Sequence, residues 1–214
     1  MPQPQKPTPK KGQPKNNYWY FYIVAFIEGG AVMACELLGA KMIAPYYGNS
    51  LYVWSSVLGT TLGGLTAGYF VGGYLSEKYP KDKTLLVILL ISTLLFAGMP
   101  VISKGIMTAT LSMSVQMGSL ISCMVFVFPP LMCFGMVSPM IIRLISDEVK
   151  EVGKNAGTVY AVSTVGGILA TFIFGFYIIP YLGLRFGAYF TACLLGAATV
   201  FYFMISKKKE TAVS

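Results

Sequence analysis

Six long apolar segments follow one another along the chain, at residues 18–40, 51–75, 84–103, 115–142, 158–179 and 185–205. A helix of about 20 residues, rising about 1.5 Å per residue, crosses the roughly 30 Å hydrocarbon core of a bilayer. The chain is 55% hydrophobic and 11% charged, whereas soluble domains carry roughly 25% charged residues. The mean hydropathy is +0.66. These features predict an all-α membrane protein with six transmembrane helices in a lipid bilayer.

The two ends of the chain differ in composition from the part between them. Residues 1–17 are rich in Pro, Gln and Lys and have no large apolar residue after Met1. Such a segment cannot bury enough surface to fold. We therefore expect a disordered basic tail at 1–17, a six-helix transmembrane domain at 18–206 and a short basic tail at 207–214.

The basic residues fall mainly on one side of the predicted membrane domain. Of the 16 Lys and Arg residues, three lie on the side opposite the termini, and they are Lys41, Lys104 and Arg185. Loops rich in Lys and Arg stay in the cytoplasm. We expect both termini to be cytoplasmic in the multi-pass cell membrane of a bacterium or archaeon. The positive charge is thus interpreted as an orientation signal, and no nucleic-acid partner is expected.

Several classes of chemistry are excluded by the residue inventory. The chain has no histidine, so catalysis or metal binding through imidazole is impossible. The 4 cysteines lie inside apolar runs and none forms a C-x-x-C pair. This pattern indicates neither a disulfide framework nor a thiolate metal site. We expect no catalytic, cofactor-binding or metal-binding residues, and no enzymatic activity in this chain.

Glycines dominate the second and fifth segments. Gly64, Gly68 and Gly72 repeat every four residues, a spacing that allows close approach of another helix. Shifting the chain by 103 positions lays residues 60–75 on 163–178, with the glycine pairs in register. The pattern predicts a 3+3 inverted repeat, because an odd number of spans reverses the second half. The predicted helix-packing glycines are Gly59, Gly63, Gly64, Gly68, Gly72, Gly166, Gly167 and Gly175.

The segment from Met33 to Pro80 carries an ordered series of motifs. Glu36 is followed five residues later by Lys41, then by the Ala-Pro-Tyr-Tyr-Gly run at 44–48, and then by Tyr52, Trp54 and Ser55 before the glycine-rich helix. Together with the runs at 136–146 and 156–185, this series of motifs resembles the membrane region of the transmembrane spermidine-synthase-like family. The resemblance covers about residues 25–205.

The resemblance implies a fold similar to half of a major facilitator transporter. Members of this family commonly join the membrane region to a cytoplasmic spermidine-synthase-like domain with a Rossmann-like nucleotide site. The nine residues after Ile205 contain no Gly-rich strand–turn–helix fingerprint and no acidic catalytic cluster. We therefore expect that any aminopropyl transfer would need a separate chain.

Two carboxylates lie inside apolar runs, and each costs on the order of 2.5–3.5 kcal/mol if it is charged and unpartnered near the bilayer centre. Glu28 is the deeper one and precedes Gly29 and Gly30. It is a candidate for binding a cation or proton, and the alternative is a hydrogen-bonded residue that fastens two helices. Glu36 and Lys41 are interpreted mainly as a structural ion pair that clamps the following turn, with ligand recognition as the alternative.

The fifth segment carries hydroxyl groups that could line a polar path, and the candidates are Tyr160, Ser163 and Thr164. The alternative is that these hydroxyls bond to their own helix backbone. In the fourth segment Pro129, Pro130 and Pro139 predict a broken or kinked helix.

Three functional hypotheses follow from these features. The first is a membrane module that works with a separate soluble or membrane partner, most obviously a spermidine-synthase-like enzyme. The second is a small half-transporter for polyamines or another organic cation, acting as a homo- or hetero-oligomer through the glycine faces of the second and fifth helices. The third is a structural subunit of an envelope complex.

Overall fold

The computed structural model describes residues 18–146 and 148–213, with side chains described as far as Lys208. The predicted disordered tail, residues 1–17, lies outside the described residues. Within them the chain is helical and forms no strand, as the sequence predicts.

The described residues form seven α-helices and one π-helical stretch. They are α1 (Trp19–Tyr47), α2 (Leu51–Lys78), α3 (Asp82–Thr110), α4 (Val115–Phe126), α5 (Phe128–Ile145), α6 (Val149–Ile173), the π segment (Phe174–Leu182) that continues α6, and α7 (Leu184–Val213). Helix α7 thus continues through most of the predicted C-terminal tail.

In the part of the chain that the structure describes, five helical stretches are long and apolar enough to cross a membrane: α1, α3, α5, α6 with the π segment, and α7 as far as Lys208. Helix α2 has 28 residues but falls outside this group. Its many glycines and hydroxyl side chains lower its hydropathy below that of its neighbours.

The corner between α1 and α2 lies farther along the chain than the sequence indicates. Ala44–Tyr47, predicted as a turn, form the last turn of α1, and the chain turns at Gly48. Gly48 has φ 76°, a conformation that favours glycine. Tyr47 fixes this corner because its buried hydroxyl donates a hydrogen bond to Thr110 Oγ1 at 2.6 Å.

The fourth predicted helix is broken at Val127 into α4 and α5. Pro129 and Pro130 lie in the first turn of α5, where a missing backbone N–H costs little because the first four N–H groups of a helix have no intrahelical acceptor. Pro139 lies inside α5 without interrupting it. The proline pair therefore explains the position of the break.

Two helix pairs form the tightest interfaces, α2 with α5 and α1 with α6. A Cβ added at Gly68 would meet the Met132 carbonyl, and one at Gly72 would lie 2.6 Å from the Met136 Cα. On α6, a Cβ at Gly166 would meet the Phe26 carbonyl of α1. Gly64 and Gly167 are also in these interfaces.

Three of the eight predicted packing glycines do not pack against any of the described residues. A Cβ at Gly59, Gly63 or Gly175 would have no neighbour within 4 Å. One residue along a helix is a rotation of about 100°, so Gly63 faces away from the interface that holds Gly64. The glycines of α2 and α6 that pack closely do so inside the bundle, and the predicted contact between subunits through these helices stays a prediction.

Helices α3 and α7 close the other side of the bundle. Tyr202 on α7 is fully buried and donates a hydrogen bond to the carboxylate of Asp82, the first residue of α3.

Candidate functional site

Glu28 is the most deeply placed carboxylate of the described residues. It lies nine residues into α1, which is roughly 14 Å of helix rise and close to half of a roughly 30 Å hydrocarbon core. Its side chain is 3% exposed. A carboxylate at this depth needs a compensating partner, because water is not available to solvate it.

The partner that the structure provides is a hydroxyl group. Ser163 on α6 donates a hydrogen bond to Glu28 Oε2 at 3.3 Å. In the described part of the chain, no Lys or Arg forms an ion pair with Glu28. One neutral hydrogen bond replaces only part of the hydration of a carboxylate. The Glu28 carboxylate can therefore accept a proton or bind a cation in addition to its hydrogen bond with Ser163.

Glycine determines this contact between α1 and α6. A Cβ at Gly29 would collide with the main-chain carbonyl of Ser163 and would lie 2.5 Å from its Oγ. The absence of a side chain at Gly29 lets the two backbones approach until the serine hydroxyl reaches the carboxylate. The neighbouring Gly30 is less crowded, because a Cβ there would meet its nearest atom at 3.5 Å.

Glu28 lies in the wall of a cavity of about 250 Å³ between α1, α2 and α6. The polar side chains of this cavity come from all three helices, and they are Glu28, Tyr69, Ser163, Thr164 and Thr171. Its other walls are apolar, including Val32 and Leu65. A small apolar cavity with a few convergent polar groups is typical of a ligand site.

Tyr69 on α2 is a site residue that the sequence analysis did not select. It lines the cavity and is 42% exposed, and its ring contacts that of Tyr160 edge-on at 6.4 Å between centroids. Aromatic faces attract cations within about 6 Å. In the sequence, the one sign that Tyr69 belongs to the site is its position next to Gly68, which packs on α5. A tyrosine in a glycine-rich helix is also typical of a residue that only packs against its neighbours.

The predicted hydroxyl residues of α6 have different roles. Ser163 and Thr164 both line the cavity, but the Thr164 hydroxyl donates to the Tyr160 carbonyl at 2.7 Å, as the structural alternative predicted. Tyr160 does not line this cavity and reaches it only through Tyr69. Ser163 is thus the hydroxyl that contacts the carboxylate.

Glu36 does not join Glu28 in the cavity, and it does not form the predicted ion pair with Lys41. The Glu36 carboxyl is half-buried beside the Thr61 side chain of α2, whereas Lys41 is exposed. Five residues on an α-helix are a rotation of about 140°, so the two side chains leave different faces of α1. The structure therefore gives the pair no role as a clamp.

One carboxylate, a serine hydroxyl and aromatic surface suit a proton or an ammonium group. Hard divalent cations such as Ca²⁺ need six or more oxygen ligands, and in residues 18–146 and 148–213 no three acidic or cysteine side chains gather to hold a metal. When the chain was compared with known proteins, no family model, no curated protein and no solved structure matched it.

Proposed function

We propose that this protein binds an organic cation or a proton at Glu28 inside the membrane and works as half of a transporter. The observation that carries this proposal is the buried carboxylate, which has one hydroxyl partner and lies in the wall of a cavity. Ionisable residues within membrane helices that face an internal cavity mark ion and substrate pathways. A helix-fastening residue would not require the adjacent 250 Å³ of open space.

The residues that line the cavity support a cation with an apolar part. An ammonium group near Glu28 would supply the positive charge that balances the carboxylate. The Tyr69 ring could contact the same group through its face. The aliphatic stem would contact Val32 and Leu65. The cavity has one carboxylate and therefore accounts for one ammonium group of a polyamine, and the resemblance to spermidine-synthase-like membrane regions is what favours polyamines among organic cations.

The packing of the helices supports the six-span, inverted-repeat architecture within this proposal. A Cβ at Gly64 would lie 3.5 Å from Met132 N, and a Cβ at Gly167 would lie 3.3 Å from Gly29 O. Adding 103 to positions 64 and 29 gives 167 and 132, so equivalent residues meet in the two interfaces. With 28 residues, α2 is long enough to be the sixth span. Six spans are consistent with both termini in the cytoplasm.

The cavity is open on one side, which supports an oligomeric transporter. Tyr69 and Tyr160 are 42% and 43% exposed at its edge. A second copy, or another six-helix protein, would cover this apolar edge and close the site. We therefore propose a dimer in which the cavity faces the partner.

The decisive experiment measures uptake of labelled putrescine and spermidine into proteoliposomes. Glu28→Gln keeps the size and hydrogen bonding of the side chain but removes its charge. We expect this variant to lose amine binding and uptake while its unfolding free energy stays within about 1 kcal/mol of wild type. Glu36→Gln is the matched control on the same helix and should retain uptake.

Three outcomes would contradict the proposal in different ways. If wild-type protein shows neither flux nor binding of any amine, the transport function is refuted and a structural subunit becomes the better interpretation. Unchanged uptake by Glu28→Gln would remove this residue from the mechanism. Cross-linking that finds only monomers in native membranes would refute the dimer.

A second candidate function is a membrane module for a soluble spermidine-synthase-like enzyme. Its support is the sequence resemblance, together with a cavity of about 340 Å³ at the end of the bundle assigned to the cytoplasm. Ser76, Arg143, Ser146 and Tyr160 line this cavity. Purification in mild detergent should then recover such an enzyme with the wild-type chain and lose it with Arg143→Glu. Repeated purification without a soluble partner would contradict this function.

A further inference from the structure

A second cavity, the lipid groove, lies on the side of the bundle formed by α1, α6, the π segment and α7. Its volume is about 470 Å³, and its walls include Phe26, Gly30, Leu169, Ile173, Phe186 and Leu194. It is separate from the Glu28 cavity, since the two share no lining residue. Any occupant of the lipid groove is therefore distinct from the proposed cation.

The lining of the lipid groove offers almost nothing to a polar ligand. The Thr191 hydroxyl is already donated to the Gly187 carbonyl of its own helix at 2.9 Å. Apart from this threonine and Tyr177, the lining residues are apolar or glycine. Water and small polar solutes would lose hydrogen bonds on entering such a space. Hydrocarbon is the chemistry that matches it.

The length of the groove matches one leaflet of a bilayer. Its lining runs along α7 from Phe186 to Leu194, which is roughly 12 Å of helix rise. Half of a roughly 30 Å hydrocarbon core is about 15 Å. A single acyl chain aligned with the helices would thus fill the groove from the membrane interface toward the midplane.

The end of the groove at the start of α7 has the features of a headgroup site. Arg185 lies in sequence between the lining residues Leu182 and Phe186, is exposed, and forms no ion pair or hydrogen bond in the described residues. The first N–H groups of α7 add the positive end of a helix dipole there. Tyr177 and Tyr181 are 61% and 75% exposed at the same end, where interfacial aromatic residues are expected.

We propose that the lipid groove is a specific binding site for an anionic phospholipid. One acyl chain fills the space between α6 and α7, and the phosphate pairs with Arg185. The cationic end selects phospholipids with net negative charge over zwitterionic ones. This site does not depend on the transport function proposed above.

The test reconstitutes the full chain in mixed micelles of phosphatidylglycerol and phosphatidylcholine, and counts retained lipids by native mass spectrometry. Wild type should retain one phosphatidylglycerol, with about a fivefold preference over phosphatidylcholine, the effect of one basic residue near a membrane surface. Leu194→Trp should fill the groove and lose the lipid. Arg185→Gln should keep a lipid but lose the preference.

Matched controls exist on α3. Leu94 is an exposed leucine outside the groove, so Leu94→Trp should behave as wild type, as should Lys104→Gln, which removes another exposed basic residue. Ile173→Trp fills the groove from α6 and replaces Leu194→Trp if that variant fails to fold. The proposal is overturned if wild type retains no lipid, if both tryptophan variants retain it, or if Arg185→Gln keeps the preference.

Discussion

The contact between α1 and α6 can be tested by two neighbouring glycines that differ only in their surroundings. We predict that Gly29→Ala destabilises the protein strongly and that Gly30→Ala does not. A Cβ at Gly29 collides with the Ser163 main chain, whose carbonyl carbon would lie 2.6 Å away, whereas the nearest atom to a Cβ at Gly30 lies at 3.5 Å. Ordinary carbon contacts are about 3.5–4.0 Å, so only the first substitution forces the helices apart.

The expected magnitude follows from two costs at Gly29. Overpacking a well-packed interface costs about 1–3 kcal/mol, and loss of the Ser163 hydrogen bond leaves the Glu28 carboxyl unsatisfied, at a further cost of about 1–3 kcal/mol. Both variants gain the same helix propensity, so it cancels in their difference. We expect Gly29→Ala to be less stable than Gly30→Ala by about 2–6 kcal/mol.

The assay is reversible unfolding in mixed detergent and SDS micelles, followed by circular dichroism, with wild type and both variants under identical conditions. Amine binding is measured alongside, because displacement of Ser163 should alter the affinity of the Glu28 site in Gly29→Ala alone. Equal stability of the two variants would refute the close approach of α1 and α6, and with it the geometry of the site.

Three further predictions concern other parts of the bundle. Gly68→Ala should be about 1–3 kcal/mol less stable than Gly63→Ala, because a Cβ at position 68 forces α2 away from α5 whereas one at position 63 meets open space. Equal unfolding free energies of the two variants would contradict the α2–α5 interface. Tyr202→Phe should lower the unfolding free energy by about 1.5–3 kcal/mol, because it removes the hydrogen bond to Asp82. An unchanged unfolding midpoint would show that this hydrogen bond does not stabilise the protein. Glu36→Gln should change the unfolding free energy by less than about 0.5 kcal/mol, because no ion pair is lost. A loss above about 1 kcal/mol would instead support the ion pair with Lys41 that the sequence predicts.

The all-helical fold was accessible from the sequence because apolar runs of membrane length leave few alternatives to helices. The break in the fourth segment was also accessible, since adjacent prolines cannot donate the backbone bonds that a continuous helix needs. The end of α1 was not. Pro45 and Gly48 are both typical of turns, yet only Gly48 ends the helix, because Tyr47 is held in the last turn by its bond to Thr110.

The glycine pattern predicted close packing but not its direction. Gly63 and Gly64 look equivalent in the sequence, and only the assembled bundle shows that Gly64 faces α5 while Gly63 faces outward. The same limit applies to the site. Glu28 was selected because a carboxylate in an apolar run is costly, but its partner Ser163 is 135 residues away, and local periodicity carries no information about such a contact.

The proposed repeat explains why only one of two equivalent interfaces would bind a ligand. Under the 103-residue shift, Glu28 on α1 corresponds to Leu131 on α5, which is fully buried against Gly64 at 3.0 Å from a Cβ there. The second interface is therefore closed by an apolar side chain at the position where the first holds a carboxylate beside a cavity. Glycines bring the two backbones into close contact in both interfaces, so the cavity beside Glu28, and not looser packing, distinguishes the interface of α1 and α6 from that of α2 and α5.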